Sequence, residues 1–150
     1  MPIRCEIVTQ DKMLFEGLVD IVVVPGSEGE MGILPNHSPL LTTLDYGILR
    51  IRYQGSEQVF TIAGGILEVR PDVVTVLADV GENVDQIDEA RAEEAKRRAE
   101  RMLAEGPPPE TDEYLRIQAA LRRSTLRLDA IRRYRKQASR PGTTRRDKEA

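Results

Sequence analysis

Tryptophan is absent from this 150-residue chain, and phenylalanine and tyrosine number only 2 and 4. So few rings leave little surface on which unpaired bases stack, which argues against a single-strand nucleic-acid platform. The one cysteine, Cys5, precludes an internal disulfide and a thiolate metal cluster. Its place within an apolar alternation marks it as a buried structural thiol rather than a nucleophile. No run approaches the roughly 18 uninterrupted apolar residues of a membrane span, and the start MPIRCEIVTQ lacks the basic-then-apolar pattern of a secretory signal. The expectation is a soluble, intracellular protein, long enough for one compact domain plus an appendage.

The charge that is present is unevenly placed. Residues 1–87 carry 5 Lys and Arg against 13 Asp and Glu, a balance of −8, whereas residues 88–150 carry 17 against 12, a balance of +5. The two parts face different surroundings, and the basic part suits an acidic partner.

The first part reads as short strands separated by turn residues. Cys5 and Ile7 alternate with polar neighbours, and Leu18 to Val24 is β-branched up to Pro25-Gly26. Further strands fit Gly47 to Tyr53, Glu57 to Ala63, Ile66 to Arg70 and Val73 to Ala78, with breaks at Gly55-Ser56, Gly64-Gly65 and Pro71-Asp72. That spacing predicts an all-β sandwich or barrel. From Asp85 the period becomes helical through Ile87, Arg91, Ala95, Ala99 and Met102, with Asp85-x-x-Asp88 as the N-terminal cap. The helix should stop at Gly106, because Pro107, Pro108 and Pro109 remove three successive donors. Thr111 then caps a second helix with the stripe Tyr114, Ile117, Leu121, Ser124, Leu128 and Ile131. The expected architecture is α+β: an all-β domain over 1–84, an antiparallel two-helix hairpin over 85–138, and a disordered tail over 139–150.

The hairpin has few large apolar anchors, namely Met102, Leu103, Ile117, Leu121, Leu128 and Ile131, each worth at most ~1.5–3 kcal/mol when fully buried. The first helix otherwise supplies alanines. Such a seam is marginal, and an element of that kind is one that a ligand or partner shifts. A small helical cap docked permanently fits the same composition.

The stretch Val24 to Leu44, VPGSEGEMGILPNHSPLLTTL, closely resembles the signature segment of the ATP synthase epsilon subunit family, whose mitochondrial counterpart is called delta. GGILEV at Gly64 to Val69, VTVLAD at Val74 to Asp79 and IDEARA at Ile87 to Ala92 follow in the family's order. The resemblance spans roughly residues 3–135. It implies an N-terminal β-sandwich on the foot of the rotor, in contact with the gamma subunit and the ring of c subunits, followed by a regulatory helical hairpin. It further implies a non-catalytic subunit of the proton-translocating ATP synthase that restrains ATP hydrolysis. It would lie on the cytoplasmic face of a bacterial plasma membrane, or at an organellar inner or thylakoid membrane, held there only through the complex. In the signature segment, Gly26, Gly29 and Gly32 permit turns with positive φ. The family carries interface roles over to Glu30 and His37, with Met31 and Ile33 beside them.

His37 is the only histidine. No Gly-x-Ser-x-Gly motif or acidic orienter accompanies His37 and Ser38, and Gly26-x-x-Gly29 is neither a Walker loop nor a dinucleotide fingerprint. Neither a catalytic residue nor a resident metal or cofactor is expected. Arg91 and Arg98, and likewise Arg123 and Arg127, are spaced to share a helix face, and four guanidiniums brought together suit phosphate oxygens. In family members that bind ATP the motif Ile/Leu-Asp-x-x-Arg-Ala falls here on Ile87, Asp88, Arg91 and Ala92. The matching family positions are Glu82, Arg98, Arg123 and Arg127. The resemblance therefore implies ATP as a regulatory ligand of the closed hairpin. In the extended state, Arg122, Arg123, Arg127, Arg132 and Arg133 would meet a catalytic beta subunit. The plain alternative is that Asp88 only caps its helix and the arginines form a solvated face. A free-standing nucleotide sensor or a nucleic-acid-binding protein is the competing function; scarce aromatics and a pI near 5.3 speak against nucleic acid.

Overall fold

The computed structural model describes residues 1–135. The tail expected over 139–150, and the end of a hairpin drawn to residue 138, lie outside the described residues. The chain divides into two compact units at Asn83–Val84.

The first unit is an eight-stranded β structure. Its strands are β1 (Ile3–Val8), β2 (Met13–Val19), β3 (Ile21–Gly26), β4 (Gly29–Ile33), β5 (Leu40–Tyr53), β6 (Ser56–Val69), β7 (Val73–Ala78) and β8 (Gly81–Asn83). The hydrogen-bonded order is β2-β1-β7-β6-β5-β3-β4, with β8 on β6, and all pairs are antiparallel except β1 with β7. The two 14-residue strands β5 and β6 serve both layers. Gly65 to Val69 of β6 pairs with β7, whereas Phe60 to Ile62 pairs with β8. One ladder thus folds over into a sandwich rather than closing as a barrel.

Alternation makes the core. Ile3, Cys5 and Ile7, then Val22 and Val24, Leu49 and Ile51, Phe60 and Ile62, Leu67 and Val69, and Val74 and Val76 all point inward and are buried. Gly64 and Gly65 do not separate two strands, as their composition predicts, but bend one, with φ of +86° and +145°. A Cβ on Gly65 would lie 2.3 Å from the Leu77 carbonyl oxygen, so only glycine lets β6 cross β7 there. The run Leu18 to Val24 is also not one strand. Asp20 interrupts it: its backbone N–H donates to the Arg52 carbonyl at 2.7 Å, and its carboxylate accepts the Gln54 N–H at 2.8 Å.

In the second unit, a 3₁₀ turn (Val84–Gln86) precedes α1 (Glu89–Glu105). The cap is Asp88 and not Asp85: Asp88 Oδ1 accepts the Arg91 N–H at 3.1 Å, while Asp85 sits in the 3₁₀ turn. Gly106, at φ +107°, ends α1. Thr111 caps α2 (Asp112–Ala130), its Oγ1 accepting the Tyr114 N–H at 3.1 Å. A π-helical turn, Ile131–Arg135, continues α2. α1 and α2 pack together through Ala92 and Ala99 on one side and Ile117 and Ser124 on the other, all buried. The expected α1 stripe is therefore displaced by one position at its start: Arg91 is exposed and Ala92 buried, because a charged guanidinium loses more on burial than a methyl group. Met102 is exposed as well, so one of the anticipated anchors contributes little.

Candidate functional site

Two surfaces carry the candidate residues, one on each unit. On the first, β3 and β4 form a hairpin whose turn, Ser27-Glu28, is closed by the Gly26–Gly29 pair. Only Gly29 of its three glycines has positive φ (132°); Gly26 and Gly32 are extended strand residues, contrary to their expected use in turns. Ser27 ties the turn to β5, its N–H donating to the Thr43 carbonyl at 3.2 Å. Glu30 lies on the edge strand β4, its exposed carboxylate 3.6 Å from the Arg50 guanidinium. In the loop that follows, the His37 N–H donates to the Leu34 carbonyl at 3.1 Å. The His37 Nδ1 lies 2.7 Å from the Ser38 carbonyl oxygen, which only accepts, so Nδ1 is the donor of that bond. Glu30 and His37 are therefore available at the surface. Met31 is half-buried against the core, and Ile33 is fully enclosed. The expectation that Ile33 presents its side chain to a partner is corrected: it faces inward opposite Val22 and supports the hairpin from beneath. The exposed apolar neighbour is Leu34.

The registers also build a surface that the sequence reading missed. Met13 pairs with Val8, Val8 with Leu77, Leu77 with Ile66, and Ile66 with Thr43. These residues form one row across five strands of the outer face, and Met13, Leu77 and Ile66 are 48%, 49% and 44% exposed. Leu41, 70% exposed, stands two residues along β5 from Thr43. The missed signal was phase: with Leu67 and Val76 inward, Ile66 and Leu77 are apolar residues out of step with the core. Exposed apolar residues aligned in this way make the row a candidate docking surface.

On the second unit, Arg91, Arg98 and Arg123 each immediately precede a buried seam residue, Ala92, Ala99 and Ser124 respectively. One residue turns a helix by about 100°, so all three project to the same angular side of their seams, and antiparallel packing places that side of both helices on one flank. Arg127, one turn beyond Arg123, joins them. Arg98 also pairs with Glu94 at 3.1 Å. Ile87 and Ala92 are buried, and the Asp88 carboxylate is engaged as the cap. Glu82 belongs to β8 in the first unit. The opposite flank differs. Glu93 and Glu100, one residue after the seam alanines, line a cleft of about 670 Å³ with Arg97, Ile131, Arg132 and Arg135, and none of the residues expected to bind ATP lines it. Of the remaining arginines, Arg122, Arg132 and Arg133 are exposed. Arg132 pairs with Asp129 at 3.2 Å, and Arg133 lies 5.4 Å from the Tyr134 ring centroid.

Residues 2–84 match the model of the ATP synthase delta/epsilon chain β-sandwich domain, and residues 85–132 match that of its long α-helix domain. The chain belongs to the ATP synthase delta/epsilon family. The ATP synthase epsilon chain of Herpetosiphon aurantiacus is 43% identical, over 88% of this chain and 96% of that one. That of Dehalococcoides mccartyi is 45% identical, over 89% and 95%. A chain in the Euglena gracilis mitochondrial ATP synthase structure, which holds OSCP, F1 and the c-ring, superposes with a TM-score of 0.66 at 26% identity, over 80% of this chain and 75% of that one. The family's two domains thus correspond to the sandwich and to the paired helices. Membership as an epsilon-type chain makes the protein an accessory subunit of the F-type ATP synthase, with the catalytic work done elsewhere in the complex.

Among the described residues, no group of three or more His, Cys, Asp or Glu could hold a metal ion. Burial, and secondarily the Glu6 carboxylate, push the Cys5 thiol up to about 12, so it stays protonated and is no nucleophile. Among the described residues no helix is long and apolar enough to cross a membrane.

Proposed function

We propose that the protein is a central-stalk subunit of the proton-translocating ATP synthase. Its sandwich joins the gamma subunit to the c ring, and its helical hairpin restrains ATP hydrolysis. The row Met13–Val8–Leu77–Ile66 and the segment around Glu30, Leu34 and His37 supply the two kinds of contact such a joint needs, one apolar and one mixed. The solved relative in an F1/c-ring assembly supports that placement. On this reading the chain meets the membrane only through the complex, on its cytoplasmic face in a bacterium.

The observation that carries the regulatory half is the shared flank of Arg91, Arg98, Arg123 and Arg127. Four guanidiniums on one side of an alanine seam, Arg98 among them paired with Glu94, offer forked donors that a polyphosphate between the closed helices would engage. ATP is therefore the ligand of the closed hairpin. Without it the helices extend, and Arg122, Arg123, Arg127, Arg132 and Arg133 reach an acidic surface of a beta subunit. Differential affinity for the two forms is what shifts their populations.

Calorimetric titration of the full chain with ATP should give saturable heat, weakened in Arg91→Ala; no saturable heat in the wild type rejects the nucleotide reading. Co-purification with gamma and the c ring should survive that change but be lost in Ile66→Glu/Leu77→Glu. Retention of both partners by this double variant rejects the apolar row as the joint.

A further inference from the structure

The geometry points to a latch at the base of the hairpin: the π turn Ile131–Arg135 grips the 3₁₀ turn Val84–Gln86, and this grip sets how readily the two helices part. The consequence for regulation rests on the switch reading above; the latch itself does not.

The seam is unevenly built. Along most of its length it joins the small Ala92 and Ala99 to Ser124 and to a single large aliphatic, Ile117, and the exposed Met102 adds little. Large, nearly fully buried aliphatic side chains gather at the base instead, where Val84, Ile87 and Ile131 are 2%, 5% and 6% exposed. At the other end the helices are joined covalently through Gly106 to Thr111 and stay close whatever the seam does. Only the base holds together chain segments that are free to separate. Contacts made there decide between closed and open.

The form of the helix end fits this task. At Ile131 the N–H is shared between the Arg127 and Leu128 carbonyls, and the backbone then widens into the π turn. Such turns are uncommon and concentrate at functional positions. This one sets Ile131 into the seam and brings Arg135 onto the Val84 carbonyl, 51 residues away, as a guanidinium donor. The two turns are packed against each other. The same carbonyl also takes the Ile87 N–H, at a long 3.4 Å, so Arg135 is its stronger partner. A turn that served only to finish α2 would need neither the buried isoleucine nor a cation aimed at the start of the unit.

Hydrogen exchange on the full chain, without nucleotide or partner subunits, tests the latch. Helices in proteins draw most of their stability from packing, so parting the two exposes their amides to exchange. Arg135→Met keeps the aliphatic stem and removes the donor. It should speed exchange over Ser124 to Ala130 by about tenfold, with the amides of Phe60 to Ile62 unchanged. Arg135→Lys should restore part of the protection. Wild-type exchange rates in Arg135→Met overturn the latch, as does acceleration spread equally to β6, which would mean general destabilisation. Because no nucleotide is present, failure here leaves the arginine flank untouched, and failure to bind ATP leaves the latch standing.

Discussion

The sandwich and the helical unit bury their apolar groups in different ways. In the sandwich, period-two alternation sends a continuous set of Val, Ile, Leu and Phe side chains inward from strands far apart in sequence, and the core members are almost wholly enclosed. In the helical unit the buried set is small alanines and one serine along the seam, with large side chains at Ile117 and at the base. Burial scales with apolar area, so the first unit holds its shape by its own core and the second does so only narrowly. On the proposed reading, a rotor joint needs the former property and a responsive arm the latter.

Several substitutions would break or sharpen this contrast. Phe60→Ala removes the largest fully buried side chain of the sandwich, and urea unfolding should show a loss of about 3–5 kcal/mol. Gly65→Ala should cost about 2–4 kcal/mol in the same measurement, from positive φ together with collision against the β7 backbone. A loss below about 1 kcal/mol would show that the bend does not depend on glycine. On the helical side, Arg127→Ala should weaken ATP binding by about tenfold or more, corresponding to ~1.4 kcal/mol, with the urea midpoint of the sandwich unchanged.

Cys5 offers a test by pH. Its folded pKa, at about 12, lies above the unfolded value of about 8.5. The folded state therefore holds a proton that the unfolded state releases. The contribution is fully present below pH ~8.5 and is lost as pH rises from there toward 12, with a slope of about 1.4 kcal/mol per pH unit. Cys5→Ala should flatten that alkaline slope; an unchanged slope would assign it to other groups. The smallest effect belongs to Thr111→Ala, which removes the α2 cap and should cost about 1 kcal/mol in helix protection, read by hydrogen exchange.

Much of this was legible in the residues. The inward alternations, the stop at Gly106 before three prolines and the Thr111 cap all rest on local chemistry, and all appear in the structure. The misreadings have a common origin. Leu18 to Val24 is uniformly β-forming, and only the bond from Asp20 to the Gln54 turn, 34 residues on, reveals the break. Gly64-Gly65 reads as a turn because local preference cannot register that β5, β7 and β8 pair with β6 on both sides of it. Asp85 and Asp88 are equivalent as cap candidates until the packing of Val84 and Ile87 assigns the 3₁₀ turn to the first. Ile33, apolar beside a polar turn, reads as a surface anchor until its register with Val22 turns it inward.

What the sequence determined by itself is the character of each unit, because periodicity, proline and capping residues act within a few positions of themselves. It also carried the family signature, from Val24 to Leu44 and in the segments after it. Tertiary structure alone decided the rest. Which apolar residues remain outside as the row Met13–Val8–Leu77–Ile66, and which basic residue, Arg135, reaches back to Val84, are consequences of strand register and helix pairing. Those join groups too distant in sequence for any local pattern to record.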